Sequence, residues 1–150
     1  MEIQGLLVPT SFGIPRRTAN GMDYNRLNML LAVMERSLGI SCSKYDAYIN
    51  ITGGIRISEP AIDLAIILSL LSSYRNLPVS EDIMVFGEVG LSGEVRAVRQ
   101  GKQRIEEAKR LGFHHIILPA YHLPKEQYDS SGIHLIPVKN IREALTIFKS

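Results

Sequence analysis

The stretch Phe86-Gly-Glu-Val-Gly-Leu-Ser-Gly-Glu-Val-Arg96 decides the fold of this chain. Two of its glycines, Gly90 and Gly93, mark a tight turn, and apolar residues alternate with polar ones on both sides of it. Alternation with a period of two is typical of strands, and glycine tolerates the positive φ angles that hairpin turns require. The pattern therefore predicts a β-hairpin formed by strands at 83–88 and 94–98.

Strands and helices alternate around this hairpin. Further strands are predicted at 3–8, 47–52, 115–118 and 134–138, and helices at 24–38, 61–71, 102–111 and 141–148. Asp23 is the expected N-cap of the first helix, and Gly39 and Gly112 should end the first and third. The 61–71 helix is apolar on nearly all sides, which predicts a central position. Residues 1–150 are therefore expected to form one α/β domain, an α+β sandwich in which helices pack on a mixed sheet.

Composition and the missing motifs exclude several kinds of protein. Hydrophobic residues make up 45% and charged residues 21% of the chain, which excludes wholesale disorder. A single cysteine, Cys42, excludes an internal disulfide and a four-cysteine zinc site. No phosphate-binding loop or dinucleotide fingerprint is present, so this chain is not expected to bind ATP. No apolar run reaches membrane-spanning length, and the expected location is the cytoplasm.

The four histidines show no metal-ligand spacing, and no metal site is expected. His114 and His115 are adjacent, and alternate faces of a strand should separate their side chains. We interpret all four as structural or surface residues.

Three segments resemble the proteolytic domain of Lon proteases, over roughly residues 45–150. They are Gly53-Gly-Ile-Arg-Ile-Ser-Glu-Pro-Ala-Ile-Asp-Leu-Ala65, the hairpin stretch quoted above, and Ile116-Ile-Leu-Pro119. The N-terminal part is similar to the C-terminal domain of the bacterial RadA (Sms) family of DNA-repair proteins. That similarity is carried by Leu7-Val-Pro-Thr-Ser-Phe-Gly13, Arg17-Thr-Ala-Asn-Gly21 and Asn25-Arg-Leu27, and with it the resemblance spans nearly the whole chain.

The resemblance implies a Lon-proteolytic-domain-like fold of the ribosomal protein S5 domain 2-like type. It also implies a parent protein that is a hexameric, DNA-dependent ATPase driving branch migration in recombinational DNA repair. ATP, Mg and Zn are then expected only in missing N-terminal regions of that parent, and residues 1–22 would lead in from its ATPase domain. The implied role of this chain is an oligomerisation scaffold and DNA-contacting surface, and not an enzyme.

The resemblance also locates a degenerate catalytic dyad. Lon-type peptidases use a serine that is activated by a lysine, whose burial among apolar groups favours the neutral amine. The position that matches the serine is Ala61, directly after Pro60, and a methyl group cannot attack a carbonyl. Lys102 matches the lysine. Three interpretations of it remain open: a relic of the dyad, a surface charge or a phosphate contact. Ser58 is interpreted as a helix N-cap. The alternative function for the chain is a residual or non-standard Ser-Lys-type peptidase.

Asp63 is the one charged residue in the apolar helix. A buried carboxylate must be paired or neutralised. We therefore expect a salt bridge to an arginine, within the domain or across a subunit interface, and a catalytic role is the alternative.

Basic residues are candidates for contacts with DNA. Arginine accounts for 11 of the 17 basic residues. The segment from Val95 to Arg110 contains six basic residues and only two acidic ones. The predicted DNA-binding residues are Arg16, Arg17, Arg26, Arg56, Arg96, Arg99 and Lys102. Contacts to phosphates would make binding independent of base sequence and steeply dependent on salt. Two alternatives remain open, a simple solvated face and a pure oligomerisation scaffold.

Overall fold

The strands that the structure describes form two three-stranded sheets and one short hairpin. A computed structural model describes residues 2–11, 13–53, 60–122 and 132–148. The strands are β1 (Glu2–Pro9), β2 (Arg17–Asn20), β3 (Tyr45–Thr52), β4 (Ile83–Val85), β5 (Glu88–Val89), β6 (Val95–Arg96), β7 (His115–Pro119) and β8 (His134–Val138). The helices are α1 (Tyr24–Leu38), α2 (Asp63–Arg75), α3 (Gly101–Arg110) and α4 (Ile141–Ala144). This mixture confirms the predicted α/β class.

The first sheet has the strand order β1-β3-β2. β1 runs antiparallel to β3, and β2 runs parallel to β3 on its other side. β2 was not predicted, because it is only four residues long and mostly polar. Helix α2 packs closely on β1, since a Cβ atom on Gly5 would lie only 2.6 Å from Oγ of Ser69. The first sheet and α2 therefore form one tightly packed unit.

The second sheet is entirely parallel, in the order β4-β7-β8. A small apolar core lies between this sheet and α3, where Ile105 and Ala108 of the helix are buried with Ile116 and Leu118 of β7. The larger core surrounds α1 and α2, and Leu64, Ile66 and Leu70 of α2 are fully buried in it. Helix α2 thus occupies the central position that its apolar sequence predicted.

The predicted strand at 83–88 is wrong as a single element. β4 belongs to the parallel sheet, whereas β5 pairs with β6 in the hairpin. Between them, Gly87 N donates to Ala61 O at 2.9 Å, and Leu64 N donates to Gly87 O at 3.1 Å. The chain therefore leaves the parallel sheet to meet the start of α2. A Cβ atom on Gly87 would lie 2.8 Å from Cγ1 of Val95, so this approach requires glycine.

Helix α1 has the predicted bounds because both caps form. The Asp23 side chain accepts a hydrogen bond from Arg26 N at 3.0 Å, and Gly39 adopts a left-handed conformation with φ of 72°. Helix α2 follows a 3-10 turn over Pro60–Ile62 and extends four residues past its predicted end. The closing helix is only four residues long and continues as a 3-10 turn. Within the described ranges, no helix is long and apolar enough to cross a membrane.

Candidate functional site

The buried carboxylate of Asp63 is bound by the guanidinium of Arg26. Asp63 is fully buried in the first turn of α2, and Arg26 Nε donates to its Oδ1 at 2.6 Å. Arg26 Nη2 donates to Oδ2, which also accepts a hydrogen bond from Val89 N at 3.0 Å. The predicted salt bridge to an arginine is confirmed, and it forms within the chain.

This ion pair joins three elements of the fold. Arg26 projects from α1, Asp63 begins α2, and Val89 belongs to β5. The hydrogen bond to Asp63 raises the pKa of Arg26, against the opposing effect of burial, and the carboxylate of Glu88, 4.0 Å away, raises it further. The charge of Arg26 is thus largely engaged inside the protein, and a contact between Arg26 and DNA stays a prediction.

Ala61 and Lys102 occupy very different environments. Ala61 is 3% exposed and lies in the 3-10 turn before α2, where its carbonyl is held by Gly87. Lys102 lies in the first turn of α3 with an exposed side chain. A Ser-Lys mechanism needs a lysine that is buried among apolar groups. Lys102 lacks that burial, and Ser58 lies outside the described residues.

The two arginines before and at the start of β2 differ in their contacts. The Arg17 guanidinium donates to the backbone carbonyls of Tyr45 and Cys42, the latter at 2.8 Å, so it fixes the entry into β3. Arg16 is exposed, and its backbone N–H donates to the Asp46 carboxylate at 2.7 Å. That hydrogen bond lowers the pKa of Asp46. Arg16 therefore presents a solvent-facing cation, whereas Arg17 has a structural role.

One short segment, which runs from β6 into α3, carries three predicted DNA-binding residues that are neighbours in sequence: Arg96, Arg99 and Lys102. All three are exposed. Arg96 pairs with Glu94, whose Oε2 lies 3.0 Å from Nη2. Arg99 and Lys102 form no ion pair with any residue that the structure describes. This segment, Arg96 to Lys102, is called the basic turn below. Another predicted DNA-binding residue, Arg56, lies outside the described residues.

Arg104 supports the backbone of the basic turn. The sequence alone did not indicate this role. Its guanidinium lies over the ring of Phe86, 5.9 Å from the centroid, and its Nε donates to Arg99 O at 2.9 Å. Burial lowers the pKa of Arg104. The adjacent Gln100 has a left-handed φ of 59°, an uncommon conformation for a residue other than glycine. A side chain from α3 thus fixes the backbone between Arg99 and Lys102.

Two histidines lie beside one carboxylate at the edge of the parallel sheet, and a third histidine contacts one of the two. His114 Nδ1 lies 2.9 Å from Asp82 Oδ1, and His115 Nε2 lies 3.9 Å from Oδ2. On its other side, His115 contacts His134, with 3.2 Å between the two Nδ1 atoms. The expected separation of His114 and His115 is therefore incomplete, because Asp82 reaches both rings. In the described part of the chain, no group of three or more His, Cys, Asp or Glu side chains could hold a metal ion.

Comparison with known proteins finds one matching family model and several similar curated bacterial proteins. A family model described as subunit ChlI of Mg-chelatase matches residues 25–122. Proteins named DNA repair protein RadA are 47% identical in Bacillus subtilis, 45% in Halalkalibacterium halodurans and 41% in Escherichia coli. These matches cover 97%, 98% and 99% of this chain but only 31%, 32% and 32% of the relatives, so the chain spans about a third of their length. The chain therefore belongs to the family described as subunit ChlI of Mg-chelatase, and it is a domain related to the DNA repair protein RadA.

Proposed function

We propose that this chain is the non-proteolytic, Lon-like module of a RadA-type DNA-dependent ATPase, and that it contacts DNA phosphates through the basic turn. The observation that carries the proposal is the exposure of Arg99 and Lys102, which form no ion pair within the described residues. The RadA relatives support this biological setting, because they match 97–99% of the chain, whereas the family model matches residues 25–122.

The position of Lys102 supports an anion as the ligand. A cation in the first turn of a helix is disfavoured by the helix dipole, so Lys102 does not contribute to the stability of α3 through that dipole. Among the described residues, no side chain caps the N-terminus of α3 by a hydrogen bond. The uncapped N–H groups, Lys102 and Arg99 therefore offer donors and positive charge to a phosphate.

The proposal that the chain is not a peptidase is supported by the two positions that match the Ser-Lys dyad. Ala61 has no nucleophilic atom, and its methyl group is buried. Lys102 is exposed to solvent and lacks the apolar surroundings of an activated lysine. The alternative, a residual or non-standard peptidase, would need a nucleophile and a base from elsewhere in the chain.

A second part of the proposal is a scaffold role in a hexameric parent. A groove of about 890 Å³ lies between β1, α2 and β4, and the residues that line it are apolar or uncharged. Leu77 and Leu111 line it and are 40% and 58% exposed. We propose that a second copy of the chain covers this groove. ATP hydrolysis, branch migration and the ATP, Mg and Zn sites would belong to regions of the parent outside this chain.

Fluorescence anisotropy with a labelled duplex and a labelled single strand tests the DNA contact. The double variant Arg99→Ala/Lys102→Ala should bind at least tenfold more weakly, and its salt slope should fall by about 2, since each phosphate contact contributes about 0.9. Lys44→Ala/Arg75→Ala removes two other exposed charges and is the matched control. Equal affinity of the two double variants would overturn the proposal.

Light scattering on the isolated chain tests the scaffold. Leu77→Glu and Leu111→Glu should each shift the chain toward monomer at concentrations where the wild type self-associates. Leu91→Glu is the control, because Leu91 is 70% exposed but lies outside the groove. A wild-type chain that is monomeric at all concentrations tested, or variants that associate as it does, would contradict the scaffold role of this groove.

A further inference from the structure

We propose that His115 and His134 form a binding site for one divalent transition-metal ion, with Asp82 as an outer partner of His115. This site is separate from the basic turn and independent of the proposed DNA contact. It uses three residues from three different segments, which only the fold brings together.

The distance between the two imidazoles fits a shared metal. The two histidines are register partners on the parallel strands β7 and β8, and their Nδ1 atoms lie 3.2 Å apart. Zinc–imidazole bonds of about 2.0–2.1 Å at a tetrahedral angle place two ligand nitrogens about 3.4 Å apart. The rings meet edge to face, with an interplanar angle of 79°. The distance between the nitrogens therefore suits a shared ion, and binding would replace the hydrogen bond between the rings and turn them until both lone pairs face the ion.

The backbone around the pair is held in place before any ion binds. His115 N donates to Asp82 O at 3.3 Å, and His134 N donates to His114 O at 2.8 Å. Both histidines are the first residues of strands that pair in the same sheet. The site is thus built on regular secondary structure, which positions ligands more accurately than a free loop.

Asp82 lies beside the second ring nitrogen of His115, at a distance longer than a hydrogen bond, and would have to move closer to act as its outer partner. Its Oδ2 lies 3.9 Å from His115 Nε2, on the side of the ring opposite His134. Metal-binding histidines commonly donate their second N–H to a carboxylate, which orients the ring and strengthens it as a ligand. The carboxylate is itself fixed, because Oδ1 accepts from His114 N at 3.0 Å and contacts His114 Nδ1.

The site has two protein ligands and an open side. The side chains of Asp82 and His115 are 41% and 40% exposed, and His134 is exposed as well. Water would complete the coordination, so the ion should exchange readily. Imidazole favours Zn²⁺, Ni²⁺ and Cu²⁺ over Mg²⁺ and Ca²⁺, which prefer oxygen ligands. The expected ligand is accordingly a borderline transition metal.

Isothermal titration of the untagged chain with ZnCl₂ and NiCl₂ tests the site. The wild type should bind one ion per chain, and His115→Gln and His134→Gln should each weaken binding at least tenfold. Lys44→Gln, at an exposed position outside the site, is the control, and its affinity should stay within about threefold of the wild type. MgCl₂ should give no binding.

Circular dichroism melts of the metal-free variants check that each variant is folded. Zn²⁺ and Ni²⁺ binding that is unchanged in a His115→Gln/His134→Gln double variant would overturn the proposal, as would a wild type that binds neither metal.

Discussion

The guanidinium of Arg26 lies alongside the carboxylate of Asp63, and two of its nitrogens donate to the two carboxylate oxygens. Asp63 is fully buried, whereas the Arg26 side chain is 28% exposed. Their backbones are 37 residues apart in sequence, and the pair connects α1 to the first turn of α2.

Removal of one partner should destabilise the fold strongly. Arg26→Ala leaves the Asp63 carboxylate buried with only the hydrogen bond from Val89 N, and breaking such a pair costs about 3–5 kcal/mol. Urea unfolding followed by circular dichroism measures the loss. Arg75→Ala, an exposed position at the end of α2, should change the free energy of unfolding by less than about 0.5 kcal/mol. An Arg26→Ala variant as stable as Arg75→Ala would contradict a structural role of the pair.

Restoring a serine should not restore a peptidase. In Ala61→Ser the new hydroxyl would sit at a position that is 3% exposed, and Lys102 remains solvated at the start of α3. Hydrolysis of casein or a fluorogenic peptide should stay at background for the wild type and for Ala61→Ser. Activity in Ala61→Ser that disappears on adding Lys102→Ala would show that the dyad can still assemble.

A methyl group at residue 87 should disturb the hairpin. Because a Cβ atom there would lie 2.8 Å from Cγ1 of Val95, Gly87→Ala should cost about 1–3 kcal/mol through overpacking. Val95→Ala removes the obstructing methyl group, so the double variant should lose less stability than the sum of the two single changes. Strict additivity in thermal or urea unfolding would place the cause elsewhere.

The buried thiol of Cys42 should make stability depend on alkaline pH. Burial raises the pKa of Cys42 to about 11. The folded state then keeps a proton that the unfolded chain releases above about pH 8.5–9, so stability should fall as the pH rises from about 9 to 11. Urea midpoints of the wild type and Cys42→Ala across this range measure the effect, and Cys42→Ala should show a smaller decline. Ellman's reagent should react slowly with the folded chain and quickly in denaturant.

Local sequence signals were sufficient to predict the helices and most of the strands. They could not predict the contacts between segments that are distant in sequence. Helix α1 could be predicted to the residue, since Asp23 and Gly39 are capping residues that act on their neighbours. The same local pattern could not show that β4 and β5 belong to different sheets, because the cause is a backbone contact between Gly87 and Ala61. The hairpin was right in position but shorter than its alternation indicated.

For the candidate site, too, the sequence predicted that a buried group needs a partner but not which residue that partner is. The need of Asp63 for an arginine followed from burial alone, but nothing in the sequence selected Arg26 as its partner. Arg17 and Arg26 were grouped with exposed cations, and both side chains instead donate hydrogen bonds within the protein. The pairing of His115 with His134 depends on the register of two parallel strands, which are 19 residues apart in the chain.

The separation of the strands into two sheets has a consequence for synthesis on the ribosome. All three strands of the first sheet are complete by Thr52, whereas the parallel sheet begins at Ile83 and ends at Val138. Helix α2 covers the first sheet, and Ser73 hydrogen-bonds to the backbone of Leu7. The first sheet, α1 and α2 therefore leave the exit tunnel before the described strands of the second sheet, but the core around α2 is complete only when Val89, Ile117 and Val138 join it.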